Sequence, residues 1–249
     1  MPGTLYLIPN TLGGINADCA EMLTQIIPED VQRLTARLTC FIAENAKTTR
    51  AFLKLIDARH PLGTPIQQIS IAELNINTEA AQLPALLDPL RAGKDAGLIS
   101  EAGVPAVADP GAQLVRLAHA EGIPVRPLVG PSSLLLAIMA SGLNGQSFAF
   151  HGYLPTDAAQ RAKRIKALEE RSRGERQTQL FIETPYRNAA MLESLAATCH
   201  PGTAICVATN LTLPSEQIRT QSAAQWRKDL AAGNVPDFHK KPTVFLLLG

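Results

Sequence analysis

The sequence predicts an α/β protein built as two α/β domains, and three observations lead there. Short apolar segments of strand length alternate with helix-patterned segments, the pattern of a mostly parallel sheet covered on both faces. Three strand-to-helix loops are rich in Gly, Pro and small polar residues. The stretch "SGLNGQ" (Ser141 to Gln146) is polar, glycine-bearing and lies between two well-patterned elements, so it divides the chain into domains 1–143 and 144–249.

"TLYLIP" (Thr4 to Pro9) is a buried strand followed by the loop "NTLGG", which ends at Gly14. Pro28, Glu29 and Asp30 start a helix in which Val31, Leu34 and Leu38 recur at helical spacing. "CFIAEN" from Cys40 is a short strand, and Thr48 or Thr49 caps the helix "RAFLKLIDA". "QQISIAELN" is a further strand, and "TEAAQLPALLDPLRAG" is helical but broken by Pro84 and Pro89, with Gly93 as its stop. "AGLIS" is a strand, "GAQLVRLAHAEG" a helix with Leu114, Val115 and Ala118 inward, and "IPVRPLVG" a strand. "PSSLLLAIMASG" is an almost wholly apolar helix stopped by Gly142. The second half is more mixed: "FAFHGYLP", a basic helix from Ala158 to Arg173, "TQLFIET", a helix near Asn188 to Ala197 and "TAICVATN". "EQIRT", a helix around Trp226 and the strand "PTVFLLLG" follow.

With 249 residues, 46% of them hydrophobic and 18% charged, the chain buries a full core, and its net charge of +1 favours no partner in bulk. Cysteines 19, 40, 199 and 206 form no CxxC pair and have no His at metal spacing, so no metal is expected and a reducing cytoplasm fits. No apolar stretch reaches the roughly 18–20 residues of a membrane span, and "MPGTLYLIPN" lacks the basic start of a signal peptide. GxGxxG, GxxxxGK[ST] and GxSxG are all missing, which disfavours dinucleotide-binding, P-loop and nucleophile-elbow enzymes.

In open α/β sheets, ligands bind beyond the carboxyl ends of the strands. Three loops fall there: Pro9 to Gly14, Ser100 to Asp109 ("SEAGVPAVAD") and Gly130 to Ser133 ("GPSS"). Glycine allows close backbone approach, and proline reduces the entropy lost on binding. The same residues also serve ordinary turns: Ser132 or Ser133 is suited to cap the apolar helix, and Asp109-Pro110 to start the one before it.

At these loops the chain resembles the tetrapyrrole-methylase fold of S-adenosylmethionine (SAM) methyltransferases, and within it the branch that methylates a ribose 2′-hydroxyl of small-subunit ribosomal RNA. The stretch from "LISEAGVPAVADPGAQLV" through "PLVGPSSLLLAIMASGL" carries most of the resemblance, with "FHGYLP", "LYLIPNTLG", "AENAKTTRAFL", "LFIETPYR", "ATNLT" and "VFLLLG" adding to it. The resemblance implies two α/β domains with the cofactor in a cleft between them, and a homodimer. It places Pro9, Asn10, Ser100, Glu101, Gly103, Val104, Val107, Ser132 and Ser133 at the cofactor, with Glu183, Asn210 and Leu211 from the second domain. The chain departs from the branch at "IPNTLGG", at Asn45 where the family has Asp, at "AELNINTEA" where it has a His-bearing stretch, and at "TNLTL", which lacks two charges of the family segment.

Methyl transfer from a sulfonium is an in-line displacement, in which orientation supplies up to ~7–11 kcal/mol and a hydroxyl acceptor gains from a general base. Glu101 is the candidate base, or else a carboxylate that binds nearby backbone N–H groups. His151 is a second candidate, or a satisfied core histidine. An RNA substrate needs a positive surface; Arg161, Lys163, Arg164, Lys166, Arg171, Arg173 and Arg176 supply one, offset by Glu169, Glu170 and Glu175, and His239, Lys240 and Lys241 form another. With 4% aromatics a single-strand stacking platform is not expected. A small-molecule acceptor such as a tetrapyrrole, and a catalytically silent SAM-binding or interaction module, are the alternative functions.

Overall fold

The structure, a computed structural model, describes residues 1–13 and 19–249; Gly14 and the side chain of Cys19 lie outside the described residues. The chain parts into two compact units, Met1–Ser132 and Ser133–Gly249.

The first unit carries β1 (Leu5–Ile8), α1 (Cys19–Ile26), α2 (Glu29–Arg37), β2 (Cys40–Ala43), α3 (Ala46–Asp57) and β3 (Ser70–Glu73). Then come α4 (Leu83–Leu86), α5 (Asp88–Arg91), β4 (Ala96–Ile99), α6 (Ala112–Ala120) and β5 (Val125–Pro127). The sheet is wholly parallel in the order β3-β2-β4-β1-β5. Its central strand AGLI is buried at every position, because helices cover both faces. On one face Ile8, Phe41 and Ile99 meet Leu23, Ile27, Phe52, Leu53 and Ile56 of α1 to α3. On the other, Leu5, Ile42 and Leu98 meet Leu83, Leu87, Leu90, Leu114 and Ala118 of α4 to α6.

Local chemistry sets the element ends. Pro84 and Pro89 each sit in the first turn of a four-residue helix, where a missing N–H costs nothing. Gly93 and Gly122 take φ of +81° and +68° beyond their helices, a region open to glycine. Two expectations are corrected. Gln67 and Gln68 lie in a 3-10 turn opened by Pro65, so β3 is only Ser70–Glu73. Helix α3 is capped by Asn45 and not by a threonine: Asn45 Oδ1 accepts from the Lys47 and Thr48 amides, while the Thr49 hydroxyl donates back to the Asn45 carbonyl.

The second unit carries α7 (Ser133–Ser141), β6 (Phe148–Tyr153), α8 (Ala158–Glu175), β7 (Thr178–Ile182) and α9 (Asn188–Thr198). It continues with β8 (Ala204–Thr209), β9 (Gln217–Ser222), α10 (Ala223–Ala232) and β10 (Thr243–Leu248). The order is β6-β7-β10-β8-β9, parallel only between β6 and β7. Helices α8 to α10 cover one face through Ile165, Leu168, Met191, Leu192, Leu195 and Trp226, packed on Phe181, Val207 and Phe245. The Trp226 indole N–H donates to the Ile205 carbonyl at 3.0 Å, which ties α10 to β8. Helix α7 packs against β8, β9 and β10, and the Thr220 hydroxyl donates to its Ser141 carbonyl at 2.8 Å. The compact second unit begins with α7 at Ser133, whereas the expected division lies after residue 143. A helix that is apolar all round does not tell from its pattern which sheet it covers.

Cys199 and Cys206 are buried, and burial pushes the Cys199 thiol up to about 12, so both act as small apolar side chains. Among the described residues no helix is long and apolar enough to cross a membrane.

Candidate functional site

The strand order of the first unit fixes one special position. β1 and β4 are neighbours, yet the chain leaves β1 toward β2 on one side and leaves β4 toward β5 on the other. Loops that diverge from adjacent parallel strands open a crevice at their carboxyl ends, the topological switch point where open α/β sheets hold ligands.

Asn10 spans that point. Its side-chain amide nitrogen donates to the carbonyls of Ser100 and Glu101 at 3.0 and 3.2 Å. Its backbone N–H donates to the Gly103 carbonyl at 2.8 Å, and Gly103 N–H donates to the Thr11 carbonyl at 3.3 Å. The Asn10 Oδ1 accepts from Thr11 N–H, so the 2% exposed side chain is satisfied at both ends. Gly103 has φ +67°, and a β-carbon there would stand 3.0 Å from a Leu12 methyl and 3.3 Å from the Pro131 carbonyl. A β-carbon on Gly130 would stand 2.2 Å from Pro9, so the third loop packs directly on the proline ring. The loop after β4 also holds Ala106 and Ala108 at φ 65° and 64°, a left-handed conformation that costs a non-glycine residue about 1–2 kcal/mol. Such outliers cluster at functional sites.

Three carboxylates stand along this crevice. The Glu101 Oε1 accepts from the Thr48 hydroxyl at 2.6 Å, and Glu101 N–H donates to Glu44 Oε2 at 3.2 Å. Burial raises the Glu44 pKa, against the pull of that N–H. Asp109 is pushed up to about 7, first by burial, then by the charge of Glu44, with a smaller push from Glu101 and a partial offset from the Ser100 hydroxyl. Asp109 is not the helix cap expected of it: α6 starts at Ala112 behind Gly111, whose φ of 130° suits glycine, and no side chain caps it. Asp109 belongs instead with Glu44 and Glu101.

The predicted first-unit residues thus divide by environment. Pro9, Asn10, Ser100 and Gly103 are buried in the junction, Val104 is half-buried, and Glu101 and Val107 are exposed. Ser132 closes the first unit and Ser133 opens α7.

In the second unit Thr243 is in register with Thr209 and Val244 with Ile182. The carboxyl ends of β7 and β8 and the start of β10 therefore share one edge, which holds Glu183, Asn210 and Leu211. Glu183 is buried and accepts from Thr184 N–H and from the Arg187 guanidinium at 2.6 Å. Asn210 adopts φ +50°; its N–H donates to the Pro242 carbonyl and its side-chain amide to Ser215 Oγ, both at 2.9 Å. Asn188, also buried, donates its two amide protons to the carbonyls of Phe238 and Lys241 at 2.9 and 2.8 Å, with Thr243 Oγ1 beside them at 3.2 Å, pinning the 238–243 segment to α9.

His151 is committed to the sheet: Nε2 pairs with Gln179 Oε1 at 2.6 Å, and burial lowers its pKa. Arg161 does not belong to the basic surface. It is 8% exposed and its guanidinium donates to Ser194 Oγ and to the Pro155 and Thr156 carbonyls. Lys163, Arg164 and Lys166 are exposed, whereas Arg171 and Arg173 pair with Glu175 and Glu169. Glu44 and Tyr186 were not singled out by the sequence, and Thr48 only as a helix cap; for Glu44 the available signal was its place just after the apolar strand CFIA, where a side chain meets the crevice.

Fold and site together define an open-sheet α/β protein whose loops after β1 and β4 are joined at a topological switch point. The sequence model of the Tetrapyrrole (Corrin/Porphyrin) Methylases matches residues 27–226, and the chain belongs to that family. Among curated relatives, Ribosomal RNA small subunit methyltransferase I of Xylella fastidiosa is 31% identical over 195 residues, 78% of this chain and 63% of that protein. Its namesake in Pseudomonas aeruginosa is 34% identical over 194 residues, 78% and 60%. The one in Streptococcus pyogenes serotype M6 is 32% identical over 224 residues, 90% and 70%. The chain thus spans about three fifths of the length of the first two relatives. The fold matches the methyltransferase CobJ with a TM-score of 0.59 at 19% identity, covering 100% of this chain and 95% of that one. It matches uroporphyrin-III C-methyltransferase of Thermus thermophilus, complexed with S-adenosyl homocysteine, with a TM-score of 0.54 at 16% identity, covering 99% and 97%.

Proposed function

We propose that the chain is a SAM-dependent methyltransferase acting on a ribose 2′-hydroxyl of small-subunit ribosomal RNA. The observation that carries the reading is the pair of loops Asn10 joins at the switch point, in a chain whose relatives bear the name of an rRNA methyltransferase. The residues fit the cofactor. Glu44, Glu101 and Asp109 have no Lys or Arg partner among the described residues, a setting suited to a cationic donor. When bound, SAM supplies a methyl group already activated by the sulfonium charge. Pro9, Asn10, Ser100, Gly103, Val104, Val107, Ser132 and Ser133 are the candidate contacts here, and Glu183, Asn210 and Leu211 are those of the second unit.

The chain's own residues set orientation and proton transfer. Asn10 and Gly103 hold the loop after β4 in one shape, which is where a displacement reaction gains most. Glu101, steadied by the Thr48 hydroxyl, takes the proton of the acceptor hydroxyl at its exposed carboxylate. Lys163 and Arg164 lie in the first half of α8. That helix follows β6, whose end is in register with the end of β7, so both residues lie toward the edge that holds Glu183 and are suited to RNA phosphates. Arg173 lies about 15 Å further along the same helix.

A homodimer in the cytoplasm, where the RNA is, completes the reading. Leu135 and Met139 of α7 are 57% and 76% exposed, an apolar face suited to a second copy. Sedimentation at equilibrium checks this: the mass of one chain would overturn it.

The test of function is incubation with methyl-labelled SAM and an extract from cells lacking the protein, followed by fractionation. Label is expected in small-subunit rRNA, at a nucleotide whose 3′ linkage resists alkali. Label in the small-molecule pool would assign a tetrapyrrole-like acceptor. SAM binding with no transfer would leave a silent binding module.

A further inference from the structure

We propose that a groove beside Tyr186 in the second unit docks one unstacked nucleotide of a single-stranded RNA segment, an inference that rests on the RNA-substrate reading above. The groove is about 320 Å³, at the small end of ligand-sized clefts. Its walls are the segment after β7 and the segment before β10, and they include Pro185, Tyr186, Ala189, Pro236, Phe238 and His239. The two walls are fixed to one another by Lys240 N–H donating to the Pro185 carbonyl at 3.2 Å and by the Asn188 side-chain amide donating to the Phe238 and Lys241 carbonyls. It is therefore a built surface and not a chance gap between mobile loops.

Three features choose the occupant. Tyr186 is 74% exposed, an open aromatic face of the kind on which bases stack. The Lys240 ammonium stands 6.0 Å from the centre of that ring, so a cation for phosphate accompanies the stacking face. The acid of the groove, Asp237, pairs with Lys241 at 2.8 Å and also feels His239, while Lys240, next in the chain, has no carboxylate partner among the described residues. An aromatic face beside a cation that has no carboxylate partner among the described residues matches a nucleotide of a flexible strand better than a duplex, whose bases are already stacked. Position supports the choice. The groove adjoins the edge shared by the ends of β7 and β8 and the start of β10, where Glu183 and Asn210 lie.

The experiment measures binding of a short fluorescein-labelled single-stranded oligoribonucleotide to the full chain and to Tyr186→Ala, Tyr186→Phe and Lys240→Ala. It is run with an unlabelled RNA duplex as competitor, with SAM affinity and thermal unfolding measured in parallel. Tyr186→Ala is expected to weaken binding about five-fold or more, and Tyr186→Phe to leave it within about two-fold because the stacking face remains. Lys240→Ala is expected to weaken binding and lower its salt slope by about 1. SAM affinity and unfolding temperature are expected to stay as in the parent chain, and the duplex to compete poorly. Strong binding and RNA methylation by the parent chain with unchanged behaviour of Tyr186→Ala would overturn the docking site alone. Equal competition by duplex, or a parallel loss of SAM affinity, would also overturn it. A parent chain that binds no RNA, and puts label only into small molecules, would overturn the substrate reading and this inference with it.

Discussion

The side chain of Asn10, at the end of the first strand, holds the carbonyls of Ser100 and Glu101, about ninety residues later, at 3.0 and 3.2 Å. One amide group thus fixes the spacing of the two loops that diverge at the switch point. Asn10→Ala strips a donor from the buried Ser100 carbonyl and is expected to cost about 1–3 kcal/mol of stability. It should weaken SAM binding more than ten-fold, since the loops lose their register. Thermal unfolding and calorimetry check both parts; a destabilised variant with unchanged SAM affinity would remove the loop junction from the site.

Gly103 is expected to tolerate no side chain. Its φ of +67° disfavours a β-carbon, and the Pro131 carbonyl and Leu12 methyl leave little room for one. Gly103→Ala should fold with a loss of about 1–2 kcal/mol and lose most of its SAM affinity, and Gly103→Arg should lose all of it. Circular dichroism with calorimetry separates the two effects.

Asp109 ties stability to pH. Its folded pKa, about 7, lies above the ordinary value of 3.8. Between those values the folded state holds more protons than the unfolded one, so this group's contribution to stability falls as pH rises from 3.8 to 7 and is constant above. Asp109→Asn removes the dependence. Its unfolding temperature should gain on the parent across that window and keep a constant lead above pH 7. A difference that does not vary with pH would mean that Asp109 is solvated like an ordinary surface carboxylate.

The basic helix should split into two kinds of residue. Arg161→Ala leaves Ser194 Oγ and two carbonyls without their charged donor and is expected to cost about 1.5–3 kcal/mol. Lys163→Ala with Arg164→Ala should leave stability nearly unchanged while lowering the salt slope of RNA binding by about 2. Unfolding curves and binding titrations at several salt concentrations distinguish the two.

Most of the architecture was legible because burial on both faces leaves a plain trace: runs such as AGLI and TVFLLL have no other stable place, and Pro84, Pro89 and Gly93 mark their own turns. What escaped depended on partners distant in sequence. Thr48 and Thr49 were the cap candidates, and only the backbone shows that Asn45, just before them, accepts the first amides of the helix. Asp109 before Pro110 has the form of a cap, and only its nearness to Glu44 shows otherwise. Arg161 looks like one more cation of a basic helix until α9 closes over it. The three Gly/Pro-rich loops were found from composition and their proposed cofactor from the family resemblance, but the joining of two of them through Asn10 required the strand order.

The contact between Gly130 and Pro9 bears on how this chain diverges. A methyl group at 130 would collide with a rigid ring, so the two positions are free to drift only as a pair. Random mutagenesis should recover Gly130→Ala chiefly alongside replacement of Pro9 by a smaller residue, although Gly130 itself need not touch a ligand. Invariance at such a site would record a steric agreement between two turns, and counting it as chemistry would overstate the size of the reactive centre.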